Sequence, residues 1–256
     1  MSKRDDVNKL YKPSQMIGTI CKLLFWSNIV FSASGLFSKG MTLEVLSVLQ
    51  IALAVAFVAL SLIDDGVCWY SAECERRKNS IQEAFDIRLT ENETEGYYNN
   101  TYSPSVLKYS VNTFESCFFS KNIAAKMLVQ SAAKSLIALI ILIAVGWVIA
   151  DGSVLLIVTQ AIFSAYIVED TVLLAIYTNR MNKLYDVIYA MLITEGIHQE
   201  RQIPILLMYC VEYESIKAHY KVRLDSKVFS KLNHDLSNQW NVILSRIDTT
   251  LLEPRI

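Results

Sequence analysis

The chain has 256 residues, a formal net charge of −1 and a hydrophobic share of 53%. Its mean hydropathy of +0.31 lies above that of an ordinary soluble enzyme of this size, so a membrane reading is the first to test. The near-neutral balance excludes a broad nucleic-acid-binding surface while leaving room for one local basic pocket.

Residues 1–15 are a polar, basic start, followed by a first apolar stretch from Met16 to Phe37 and a second from Met41 to Ile63. Each is near the ~20 residues that cross ~30 Å of hydrocarbon. Ser38-Lys39-Gly40 between them has turn chemistry and is too short to be anything but a hairpin tip. The basic start and the small residues of "FSASG" also fit a cleaved signal peptide, but the turn straight into a second span favours a membrane hairpin.

Residues 64–126 form a loop of two characters. "SAECERRKNSIQEAFDIRL" predicts a helix continuing out of the second span, with Ile81, Ala84, Phe85 and Leu89 at helical spacing and Arg76, Arg77 and Lys78 on other faces. That dense basic triplet, next to a span, fits anionic lipid headgroups better than a phosphate-bearing ligand or partner. The acidic, polar "TENETEGYYNNTYSPS" breaks the helix and predicts an exposed loop. Asn92-Glu-Thr94 and Asn99-Asn100-Thr101 match glycosylation acceptors, which carry no meaning on a cytoplasmic loop. Helical periodicity returns from Val106 to Phe119 and leads into a third span, about Met127 to Ala150, which turns at Asp151-Gly152 into a fourth, Ser153 to Tyr177.

The expected fold is therefore an all-α membrane protein: hairpins at 16–63 and 127–177, with a helical cytoplasmic loop and a helical tail, 178–256. Lys3, Arg4, Lys9, Lys12, Lys121, Lys126, Arg180 and Lys183 join the triplet at the inner ends of the spans, while Lys39 stands alone at the tips. The positive-inside rule puts both termini and the middle loop in the cytoplasm.

In the tail, Asp225 is the expected N-cap of a helix whose Val228, Leu232, Leu236, Trp240, Ile243 and Ile247 make one apolar stripe. A helix starting near Pro204 offers Leu206, Leu207, Cys210, Tyr213 and Tyr220 as a second face, in the same chain or a neighbouring subunit. Five cysteines without a CxxC predict no disulfide framework, and His198, His219 and His234 lack metal-ligand spacing. Phosphate loops, HExxH and nucleophile elbows are absent, so neither an enzyme nor a bound cofactor is expected.

With a rise of about 1.5 Å per residue, distance from each tip gives a depth. Lys134 and Glu169 are level, roughly 26 Å from the outer tip, and Lys22 lies at a similar depth. Lys134 and Glu169 are thus candidates for an ion pair within the second hairpin, and Glu169 and Asp170 for a cation-attracting vestibule. Asn28 is level with Gln50 nearer mid-membrane, and Gln160 lies slightly shallower. These amides either bond between helices or line a narrow pore.

Two leading spans, a helix carrying "IQEAFD" at 81–86, a polar loop, two further spans and a helical tail resemble the SMODS-associated four-transmembrane effectors of bacterial anti-phage defence. The local motif is Gln82-Glu83-x-Phe85-Asp86, and the resemblance covers residues 10 to about 195. It implies an effector in the bacterial inner membrane that answers a nucleotide or oligonucleotide made by a partner nucleotidyltransferase and permeabilises the bilayer to ions. A pore requires several copies, because one four-helix unit has no room for a packed core and a channel together. The competing expectation is a non-conducting membrane adaptor or immunity protein whose spans anchor a helical interaction module. A transporter is a third, disfavoured by the lack of matching broken spans in the two halves.

Overall fold

The computed structural model describes residues 6–35, 38–92, 97–98, 100–148, 154–196 and 201–252, with side chains described except at Asn8, Ser32, Ala33, Ala138, Ile141, Leu142, 144–167 and Leu252. The described residues form helices and no strand, in agreement with the all-α expectation. A short α1 (Asp6–Leu10) precedes α2 (Lys12–Gly35). Gly40 turns the chain with a φ of 59°, a conformation costly for any residue with a Cβ, and its carbonyl accepts the Leu43 and Glu44 amides that start α3 (Met41–Ile63). The turn at Asp151-Gly152 lies outside the described residues.

A π-helical turn at Asp64–Cys68 carries α3 into α4 (Trp69–Phe85), so the predicted continuation out of the second span is a single helix. It stops before Leu89, and the stop is local chemistry. Asp86 is left-handed with a φ of 55°, and the Ile87 amide donates to the Gln82 carbonyl at 3.3 Å, a Schellman closure. The Gln82 side-chain oxygen then accepts the Leu89 and Thr90 amides at 2.9 and 3.0 Å. Ala84, Ile81 and Phe85 accordingly pack with Tyr109 and Cys210, while Leu89 is left exposed rather than joining their stripe.

The loop that follows is more firmly held than its composition predicts. Asn79 donates to the Asn92 carbonyl at 2.9 Å, Tyr98 and Ser116 hydroxyls meet at 3.1 Å, and Asn100 donates to the buried Asn112 at 2.6 Å. The Thr94 and Asn99 ends of the glycosylation matches fall outside the described residues. Beyond the loop come α5 (Val106–Val148), α6 (Val154–Tyr189) with a π-helical turn at Ala190–Glu195, α7 (Gln202–Tyr220) and α8 (Ser226–Leu252).

The chain divides into two compact units. The hairpin unit comprises Asp5–Arg76 and Ser131–Thr171; the bundle unit includes Arg77–Gln130 and Val172–Ile256, so α4, α5 and α6 each contribute to both. Among the described residues one helix, Met41–Phe85, is long and apolar enough to cross a membrane. The apolar runs of α2, α5 and α6 extend into residues whose side chains are not described.

In the bundle unit, the α8 stripe packs as its spacing predicts: Val228, Leu236, Trp240, Ile243 and Ile247 are buried and Leu232 is partly so. The partner surface lies in the same chain, formed by Phe114 and Phe118 of α5, Tyr177, Met181 and Ile188 of α6, and Leu206 and Tyr213 of α7. This answers how a tail too short for its own core buries its stripe: it borrows the inner halves of α5 and α6. Leu207 corrects the expected α7 face, since it lies 41% exposed with Met208 and Val211 while Leu206, Cys210 and Tyr213 point inward.

Candidate functional site

A water-soluble helical hairpin hides its apolar residues and shows its polar ones. The α2–α3 hairpin does the reverse. Asn28 is fully buried and Gln50 is 1% exposed, and Ser47, one turn before Gln50, and Ser14, near the start of α2, are buried too. Met16, Leu23, Trp26 and Val30 of α2, and Val45, Val48, Val55, Val58 and Leu62 of α3, face outward. Asn28 Nδ2 donates to the Gln50 carbonyl at 3.2 Å, and Ser47 Oγ donates back to the Leu43 carbonyl at 2.8 Å. The Asn28 side chain thus reaches the Gln50 backbone between the helices of one chain. Asn28 Oδ1 has no partner among the described residues.

At the other end of this hairpin is a polar cluster that depth arithmetic missed. Buried Glu73 accepts the Tyr11 hydroxyl at 2.7 Å and the Arg76 Nε at 2.9 Å, while the Tyr11 ring meets Trp69 edge-on at 5.4 Å. The three-residue spacing of Glu73 and Arg76 was the available sequence signal. The basic triplet is split by helix geometry, which turns successive residues about 100° apart. Arg76 goes to Glu73, Arg77 Nε donates to Glu214 at 3.2 Å within the bundle unit, and Lys78 is exposed. Both guanidinium groups thus already serve carboxylates.

In the second half of the hairpin unit, Ser131 and Ser135 hydroxyls lie 2.7 and 2.6 Å from the Thr171 hydroxyl. These contacts bring α5 and α6 together at the level where sequence depth sets Lys134 opposite Glu169. Lys134, Glu169 and Asp170 are all exposed, and Lys134 and Glu169 form no ion pair with each other among the described residues. The Gln160 side chain lies outside the described residues.

The bundle unit carries a cationic and aromatic face. Lys121 Nζ sits 3.3 Å from the Tyr185 ring centre, Tyr185 stacks on Phe114 at 5.0 Å, and Arg246 donates to the Tyr189 hydroxyl at 3.1 Å. Tyr102 donates to Asp248. Burial lowers the Lys121 pKa, with Asp186 opposing, and pushes Tyr185 up to about 12. Burial also pushes the Cys117 thiol up to about 12 and raises Cys210, so both hold their protons at neutral pH and neither is a ready nucleophile. Among the described residues no three His, Cys, Asp or Glu side chains gather to hold a metal ion; His198 is outside them.

Among the described residues the fold is helical throughout, with one helix long and apolar enough to cross a membrane and an inverted hairpin. Compared with family models, curated proteins and solved structures, the chain has no match.

Proposed function

We propose that this chain is an integral membrane protein that crosses the bilayer four times with both termini in the cytoplasm, and that copies of it assemble into a pore gated through the cytoplasmic helices. The observation that carries the membrane part is the inverted α2–α3 hairpin, polar inside and apolar outside, an arrangement that gains nothing in water and suits hydrocarbon. What supports assembly is the exposure of Lys134 and Glu169 among exposed apolar residues such as Leu136, Ile137, Ile140 and Val172. α4, α5 and α6 supply residues to both units, so a rearrangement of the bundle has three continuous helices along which to reach the membrane. The resemblance to the anti-phage effectors supplies the signal: a nucleotide or oligonucleotide made by a partner nucleotidyltransferase. The pore would then permeabilise the bacterial inner membrane to ions.

Asn28 fits the interhelical role rather than the constriction, because it is buried and its Nδ2 donates to the Gln50 carbonyl within one hairpin, where Gln50 is buried too. Glu169 and Asp170 remain the vestibule candidates. The first test is ion flux through liposomes holding the purified protein, with and without a panel of short and cyclic nucleotides. Flux switched by a nucleotide is the expected result; then Glu169→Gln with Asp170→Asn should change cation selectivity. Liposomes that stay tight under every condition, with correctly oriented protein, reject the pore.

A non-conducting adaptor or immunity protein is the second reading. It is favoured by the Asn28–Gln50 and Ser131–Ser135–Thr171 contacts, which satisfy membrane-depth polar groups within the chain and require no water path. Changing the acids would then alter folding and never conductance.

A further inference from the structure

We propose that Lys134 and Glu169 pair between copies of this chain, Lys134 on α5 of one protomer with Glu169 on α6 of the next. The inference rests on the membrane reading above and assigns its subunit interface. Equal depth makes the two residues natural partners, but the hairpin forbids the pair within one chain. The Ser131, Ser135 and Thr171 hydroxyls, 2.7 and 2.6 Å apart, define which faces of α5 and α6 touch. Glu169 is two positions from Thr171, which places it about 160° around the α6 axis, on the side away from α5. Lys134 is turned about 60° from Ser131 and about 100° from Ser135, beside the contact rather than in it. Both are exposed, without an ion-pair partner among the described residues.

Their neighbours make solvation by water an unsuitable resolution. Leu136, Ile137 and Ile140 on α5 and Val172 on α6 are exposed apolar residues, as a lipid-facing or subunit-facing surface requires. An ammonium and a carboxylate on such a surface call for a counter-charge. Rotational symmetry about the membrane normal moves a residue around the ring and leaves its depth unchanged. Two opposite charges at one depth, on different outward faces, are therefore what a head-to-tail ring brings into register. Asp170, about 100° around from Glu169, is left for the vestibule.

The test uses the full chain in membranes. Lys134→Cys combined with Glu169→Cys, oxidised in the bilayer, should give a ladder of dimers and higher multimers on non-reducing gels. Either single substitution should match the unsubstituted chain, which controls for the native cysteines. Lys134→Glu and Glu169→Lys should each lower the oligomer fraction roughly tenfold, as like charges meeting at an interface do, and the two together should restore it. Cross-linking confined to single chains, or no added product from a protein that still sizes as an oligomer, overturns the interface. A ladder without ion flux keeps the interface and removes the pore, whereas flux without a ladder keeps the pore and removes the interface. A monomer in the membrane removes both.

Discussion

Gln82 ends α4 with its backbone and side-chain oxygens alike, and the residue most exposed to test is therefore not an acid or a base. Gln82→Ala removes the acceptor for two backbone amides and should cost about 1–2 kcal/mol in chemical unfolding. Asp86→Gly relaxes a left-handed residue and should be neutral or stabilising by up to about 1 kcal/mol. A neutral Gln82→Ala would mean that the turn closes without it. Titration acts at the same scale. Cys117 and Tyr185 have ordinary values of 9.0 and 10.0, and burial raises both to about 12 in the folded chain. The folded state thus keeps protons that the unfolded state gives up, so their contribution is full below about pH 9 and is lost as pH climbs toward 12. Lys121 runs the other way: its lowered folded value makes its contribution grow with pH up to the ordinary lysine value. Thermal unfolding should therefore worsen from about pH 9 upward, and Cys117→Ala should move the onset toward pH 10, where tyrosine takes over.

Among the elements, α8 depends on its first turn and its middle. Asp225 Oδ1 accepts the Lys227 and Val228 amides at 2.7 and 3.1 Å, so Asp225→Ala should cost about 1 kcal/mol. Trp240 is fully buried, edge-on to Phe114 at 5.4 Å and tilted against Phe118 at 6.0 Å. Trp240→Ala should cost about 3–5 kcal/mol by emptying that site, measured as a drop in unfolding midpoint. In the α2–α3 hairpin, Asn28→Ala loses one interhelical bond and should destabilise the hairpin by about 1 kcal/mol while leaving ion selectivity unchanged. A changed selectivity would return Asn28 to the conducting path.

For the whole molecule, the bundle and the membrane hairpins must be coupled if the chain is a gated pore. Trp240→Ala loosens the bundle core without touching the hairpin unit, so it should alter the flux response to nucleotide while selectivity stays as it was. An unchanged response would place the sensing step elsewhere. The adaptor reading expects no flux from either protein. The outward apolar strip of Leu207, Met208 and Val211 is a further property of the assembled bundle, visible only once α7 had buried its other side.

The all-helical character, the α8 cap and stripe and the continuation of α3 into α4 were all set by the sequence itself. Each depends on local chemistry or on rise along one axis, which residue order carries directly. The tertiary structure alone decided that Asn28 reaches Gln50, that Arg76 and Arg77 part toward Glu73 and Glu214, and that Tyr98 and Asn100 fasten a loop of loose composition. It also brought Thr171 of α6 against Ser131 and Ser135 of α5. Those outcomes depend on how each helix is rotated against its neighbours, and rotation is settled by packing between segments distant in the chain.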